Sequence, residues 1–213
     1  MARIAMAWLA LVMVAGCTLS SVLEPRKDLT RFYVLSPMEP ASRGVPLTYS
    51  AVGASRAVAI GIGPVKFPAY LAREEIITRS TPNRVNLSDI DQWAEPLDKN
   101  FVSVLAQDLT ILLGAEVRTF PWYRTTALDY QIVLDIARFD TDSSGTAMII
   151  GRWEIENPVS GDQLDSGTIN ITDTARTGEN GAATLSRAAG DLSAQLADAV
   201  RSLKPPAPAA KTD

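Results

Sequence analysis

An unbroken run of twelve apolar residues, Ile4 to Ala15, opens the chain, with Arg3 as the one charge before it. That run is too short for a helix across a bilayer core, which takes about 20 residues, and suits the hydrophobic region of a signal peptide. Polar residues follow. Thr18 to Lys27, with Pro25, reads as a tether spanning at most about 33–36 Å when extended.

Period-2 alternation then marks strands. Thr30 to Leu35 (TRFYVL) is the first, stopped by Ser36-Pro37, and Ser36 to Arg56 carries enough Pro and Gly to read as a long loop. In Ala57 to Val65, Val58, Ile60 and Ile62 share one face, while Ala59, Gly61 and Gly63 on the other call for something packed closely against them. Glu75 to Arg79 and Arg84 to Leu87 flank Ser80-Thr81-Pro82-Asn83 as a hairpin or tight corner.

Helical spacing takes over after Pro96, through Leu97, Phe101, Val104, Leu105, Ile111 or Leu112, and Leu113, and Gly114 supplies the left-handed stop. A short strand over Glu116 to Phe120 leads to Pro121-Trp122. Alternation returns in Tyr130–Ile136, in Ala147–Ile155 beyond the turn Asp140–Gly145, and in Asp162–Ala175. Gly181 to Leu203 is an amphipathic helix through Leu185, Leu192, Leu196, Val200 and Leu203, ended by Pro205-Pro206. These elements favour an α+β domain, a mostly antiparallel sheet with two amphipathic helices packed on it. The chain divides into a signal peptide (1–16), a tether (17–27), one domain (28–203) and a disordered tail (204–213).

Composition narrows the chemistry. With no His among 213 residues there is no imidazole base, no Ser-His-Asp or Cys-His pair and no His-ligated metal. A single Cys excludes an internal disulfide and a Cys-rich metal site. Lys and Arg number 20 against 24 Asp and Glu, and pI near 5.0 argues against nucleic acid as a partner.

Cys17 follows Val14-Ala15-Gly16, an aliphatic residue and two small ones, which resembles the bacterial lipobox. A thiol to accept lipid and small residues to fit a peptidase cleft are what that reaction needs. Cleavage between Gly16 and Cys17 would leave a thioether-linked diacylglycerol and an N-acyl chain, palmitate-like, on Cys17, and no other cofactor is called for. More than one acyl chain makes anchoring stable, at about 0.8 kcal/mol per buried CH2. Loss of Arg3 with the signal leaves 19 against 24, a net −5. Thr18 where an Asp would signal retention favours, by resemblance to lipoproteins of Gram-negative bacteria, the periplasmic face of the outer membrane.

Other motifs are weaker. Gly61-Ile62-Gly63 has Lys66 where a dinucleotide fingerprint needs its third Gly. Asp140, Asp142, Ser144 and Gly145 begin like a calcium loop, but Gly151 holds its twelfth position, so a polar turn is the better reading. Glu154 and Glu156 share a strand face that reads as solvated. A carboxylate-only hydrolase on Glu74, Glu75 or Glu95 has no paired geometry behind it. Aromatics beside prolines remain, in Phe67–Leu71, Trp93–Leu97 and Pro121–Tyr123, either capping the core or forming a contact surface.

Ile60–Val65, Pro68–Leu71, Ile76–Arg79, Trp93–Leu97 and Pro121-Trp122, with Phe32–Leu35 and Arg138–Asp140, together resemble the PqiC/YmbA-type family of ABC-transport auxiliary lipoproteins, over about Leu29 to Leu203. Ala72 departs from the polar residue expected after Leu71. The resemblance implies a non-enzymatic outer-membrane lipoprotein that works with a periplasmic MCE-domain protein and, indirectly, an inner-membrane permease and ATPase in moving lipids between membranes. A homo-oligomer is compatible with it. Tyr70, Leu71, Trp93, Glu95, Pro96 and Trp122 are the expected partner-binding residues, with no catalytic or metal-ligating residue. The alternative is a carrier that holds an acyl chain in its own cavity.

Overall fold

A computed structural model describes residues 29–39, 58–123 and 126–203. The signal segment, Gly16 and Cys17, the tether, most of the 36–56 loop and the tail from residue 204 lie outside the described residues. The chain divides into units 1–30 and 31–213, and every described element belongs to the second.

Eight strands and two helices follow in chain order: β1 (Arg31–Tyr33), β2 (Ala59–Lys66), β3 (Glu75–Thr81), β4 (Arg84–Trp93), α1 (Leu97–Leu113), β5 (Glu116–Thr119), β6 (Tyr130–Asp142), β7 (Ala147–Glu156), β8 (Gln163–Asp173) and α2 (Gly181–Ser202). The α+β class stands, but the sheet is mixed rather than mostly antiparallel. Parallel pairs are β1·β4, β2·β5, β2·β6 and β3·β6; antiparallel ones are β3·β4, β6·β7 and β7·β8. Alternation reveals a strand and its buried face, not the direction of its neighbour. Here α1 and the long connections carry the chain back across the sheet, so sequence-distant strands pair in parallel.

The hairpin and the meander form where tight turns allow nothing else. Pro82-Asn83 joins β3 to β4, and Asp142 Oδ1 accepts the amides of Ser144 (2.8 Å) and Thr146 (3.0 Å) in the β6–β7 turn. That carboxylate is held below its ordinary pKa chiefly by the Ser144 hydroxyl. The calcium-like motif is therefore a polar turn closed on itself.

Both helices contribute to one core with Ile132, Leu134, Ile136 and Phe139 of β6 and Ile149, Trp153 and Ile155 of β7. α1 buries Leu112 rather than Ile111, and Gly114 stops it at φ 57°. Pro96 precedes its first residue, and the Pro96 carbonyl accepts the amides of Lys99 and Asn100. α2 buries small residues, Ala188, Ala189, Ser193 and Ala197, between its leucines. The close packing expected on Gly61 and Gly63 is also present: a Cβ on Gly61 would stand 2.7 Å from Leu128 and 2.9 Å from Trp122, and one on Gly63 2.6 Å from Phe120.

Fully buried Asp108 ties three parts together. Its Oδ1 accepts the Met38 amide (2.8 Å) and its Oδ2 the Ser193 hydroxyl (3.0 Å), joining α1 to α2 and to the chain after β1. Asp108→Ala removes the acceptor of the Met38 amide and leaves the Ser193 hydroxyl only the Ala189 carbonyl (2.9 Å), so equilibrium denaturation should show a loss of about 1–3 kcal/mol.

Candidate docking site at the sheet fork

β6 is longer than any strand beside it, and that mismatch builds the site. β7 occupies one of its edges from Gln131 to Thr141. On the other edge β2 pairs as far as Asp135, and β3 pairs only with Thr141 and Asp142. Between them the edge has no strand. The segment Phe67–Glu74 crosses this gap, making a single 3-10 turn at Ala69–Leu71.

Three rings pin the crossing to the core: Phe67 meets Phe101 of α1 at 5.2 Å and Phe139 of β6 at 6.0 Å, both edge-on, and Phe101 meets Phe139 at 5.4 Å. Such pairs add about 0.5–1.5 kcal/mol each beyond their buried area. Phe67 is thus partly buried, packed against the core.

Unpaired backbone at the gap is accompanied by a buried charge. Asp140 has a fully buried carboxylate, met by Arg79 Nε (2.9 Å) and Nη2 (2.7 Å) on Oδ2 and by Arg138 Nε (2.7 Å) on Oδ1. Arg79 Nη2 also donates to the Tyr70 hydroxyl (3.3 Å), and its guanidinium lies over the Tyr70 ring at 5.9 Å. Burial, then the Asp140 charge, push the Tyr70 phenol above its ordinary pKa, against the pull of Arg79. The hydrogen bond from Arg79 to Asp140 in turn raises the Arg79 guanidinium.

Beside the crossing lies a pocket of about 510 Å³. Phe67, Leu71, Trp93 and Leu97 give it apolar walls, and Arg73, Glu74, Glu95 and Asp98 charged ones. Backbone bonds fix its two sides together, since the Trp93 amide donates to the Glu74 carbonyl (2.6 Å) and the Ala94 amide to the Tyr33 carbonyl (2.8 Å). Glu95 Oε1 accepts from Asn100 Nδ2 (2.7 Å), and buried Asn100 accepts the Leu35 amide (2.5 Å).

Four of the six expected residues, Leu71, Trp93, Glu95 and Pro96, line this pocket, and Tyr70 sits in the adjoining turn. Leu71 and Trp93 are only 4% and 6% exposed, so they floor the pocket rather than project from it. Trp122 stands apart, against Gly61 and edge-on to Phe120 at 5.4 Å. Arg79, Arg138 and Asp140 were not anticipated as site residues. Their signal was three charged positions at strand ends, unreadable as a cluster until β3 and β6 are known to be neighbours.

One mixed sheet with helices on its core face, a forked strand and a pocket at the fork make up the described domain. Residues 33–200 match the family described as ABC-type transport auxiliary lipoprotein component, and the chain belongs to that family. Solved structures share the fold, two of them over most of both chains. Protein XCC0632 from Xanthomonas campestris, of family DUF330, is 16% identical, with a TM-score of 0.58 over 78% of this chain and 92% of its own. An uncharacterized protein is 17% identical, with a TM-score of 0.60 over 80% and 98%. No curated protein matches the chain in sequence. As a transport auxiliary lipoprotein it falls in a class anchored to a membrane by lipid, and no described helix is long and apolar enough to cross one.

Proposed function

We propose that the protein is a non-enzymatic lipoprotein of the outer membrane, acylated at Cys17, that docks the periplasmic MCE-domain component of an ABC-type lipid transport system through the pocket at the sheet fork. The family supports the transport role, and the lipobox-like Val14–Cys17 supports the anchor. The single observation behind the docking site is that Leu71, Trp93, Glu95 and Pro96, from two segments over twenty residues apart, line one pocket with an apolar floor and a charged rim. Apolar pockets ringed by polar groups are where binding energy concentrates at interfaces. Membrane confinement then raises the effective concentration at which the partner meets the site.

Truncating Trp93 would disturb the core, so the test uses Ala72, exposed at the pocket's rim. Ala72→Arg should fill the mouth and weaken copurification of the MCE-domain protein with the lipidated chain by roughly tenfold or more, the scale of one lost hot spot. Unchanged copurification with an unchanged melting temperature would sink the docking assignment. Bound lipid extracted from the purified domain would instead favour a carrier holding an acyl chain itself.

A further inference from the structure

β1 has two unlike faces. Side chains alternate along an extended strand, and since Tyr33 packs against the core, Phe32 turns the other way. Phe32 is 64% exposed, and Val34, just past the strand, 48%. Phe32 sits in register with Gln92 of β4, so Ile90, two residues earlier and 38% exposed, lies on the same side. Two apolar side chains, Phe32 and Ile90, thus share the outward face of one strand pair at the end of the sheet, and Val34 follows directly after β1.

Chain length says what does. Phe32 follows Cys17 by fifteen residues. Fifteen residues cannot reach beyond roughly 50 Å. An anchor at Cys17 therefore keeps this face near the lipid. Within the tether, Arg26 and Lys27 against Glu24 give a net +1 in a chain of net −4, the sign that anionic headgroups attract.

We infer that the outward face of β1 and β4, with Phe32 and Ile90 and the adjoining Val34, rests on the lipid surface that holds the acylated Cys17. The inference depends on the lipid anchor proposed above. Its consequence is orientation: Trp93, in register with Tyr33, turns to the opposite face of these strands, so lipid on the outward face leaves the Trp93 pocket open to the periplasm. A patch of this kind adds a second, weaker membrane contact to a covalent anchor.

Cys17 is the chain's single cysteine and is blocked once acylated, so a cysteine introduced elsewhere takes a polarity-sensitive fluorophore alone. The full lipidated protein is reconstituted into phosphatidylethanolamine–phosphatidylglycerol vesicles carrying Phe32→Cys, Val34→Cys or, as a control, Val159→Cys at a 92% exposed loop position. Labels at 32 and 34 are expected to shift to the blue and lose most of their emission to nitroxide-bearing lipid, with the label at 159 unaffected. Protein that floats with the vesicles while all three labels report water overturns the inference and leaves the anchor standing. A shift at 32 that requires an added protein also overturns it, in favour of a protein contact. Protein that does not float, with a Cys17 thiol open to labelling, overturns the anchor and the inference together.

Discussion

Asp140→Ala should lower the free energy of unfolding by about 3–5 kcal/mol, the range found when one partner of a buried ion pair is removed. Chemical denaturation of the purified domain reads this directly. The size follows from what is left behind. Arg79 and Arg138, with side chains only 17% and 22% exposed, would face one another across the site of a carboxylate that is now gone. Tyr70 would lose the ordered guanidinium that its ring and hydroxyl engage. Because the penalty is an uncompensated charge rather than a lost bond, removing the arginines as well should restore part of the stability: Asp140→Ala with Arg79→Met and Arg138→Met is expected to be more stable than Asp140→Ala alone. If the single variant unfolds at the wild-type denaturant midpoint, the cluster does not hold the fork together.

The second large effect is expected at Gly151. It stands on β7 opposite Ile136, where β6 bulges between Ile136 and Arg138. A Cβ there would lie 2.4 Å from the Asp135 carbonyl oxygen and 3.1 Å from the Ile136 Cα. Both are backbone atoms, which cannot swing aside as a side-chain end can. Gly151→Ala must open the β6–β7 pairing in the centre of the sheet, and a loss at or above the usual value of about 1–3 kcal/mol for overpacking is expected in equilibrium unfolding. Gly161 supplies the comparison. It has φ 76°, and an added methyl there would meet nothing within 4 Å, so Gly161→Ala carries only the left-handed backbone penalty, about 1–2 kcal/mol. Equal losses at the two positions would remove close approach as the reason for Gly151.

The two effects act at the ends of one short stretch of β6. Its bulge needs Gly151 on one side, and its bare edge needs Asp140, Arg79 and Arg138 on the other. The same bare edge admits the Phe67–Glu74 crossing, and the crossing forms one wall of the pocket. A change that loosens the fork is therefore expected to disturb the pocket too.

Helices were legible because each carries its own signals: the spacing from Leu97 to Leu113 with Pro96 before and Gly114 after, and the leucines of α2. The β3–β4 hairpin was legible because Pro82-Asn83 leaves its strands nowhere else to go. Part of the site was legible as well, since aromatics beside prolines in Phe67–Leu71 and Trp93–Leu97 mark element ends, and the fold brings those two ends together. Trp122 carried the same local signal and lies elsewhere, on Gly61. Local composition says that a ring stands at an element's end, not which end it will meet.

By itself, then, the sequence determined most of the elements, their buried faces and the family, and it places its single cysteine after the lipobox-like Val14-Ala15-Gly16, because all of these rest on residues near one another in the chain. Tertiary structure alone decided the parallel pairings, the forked edge of β6 and the union of Arg79, Arg138 and Asp140. Those depend on which distant strands become neighbours, and a period-2 pattern is satisfied equally well by a parallel or an antiparallel partner.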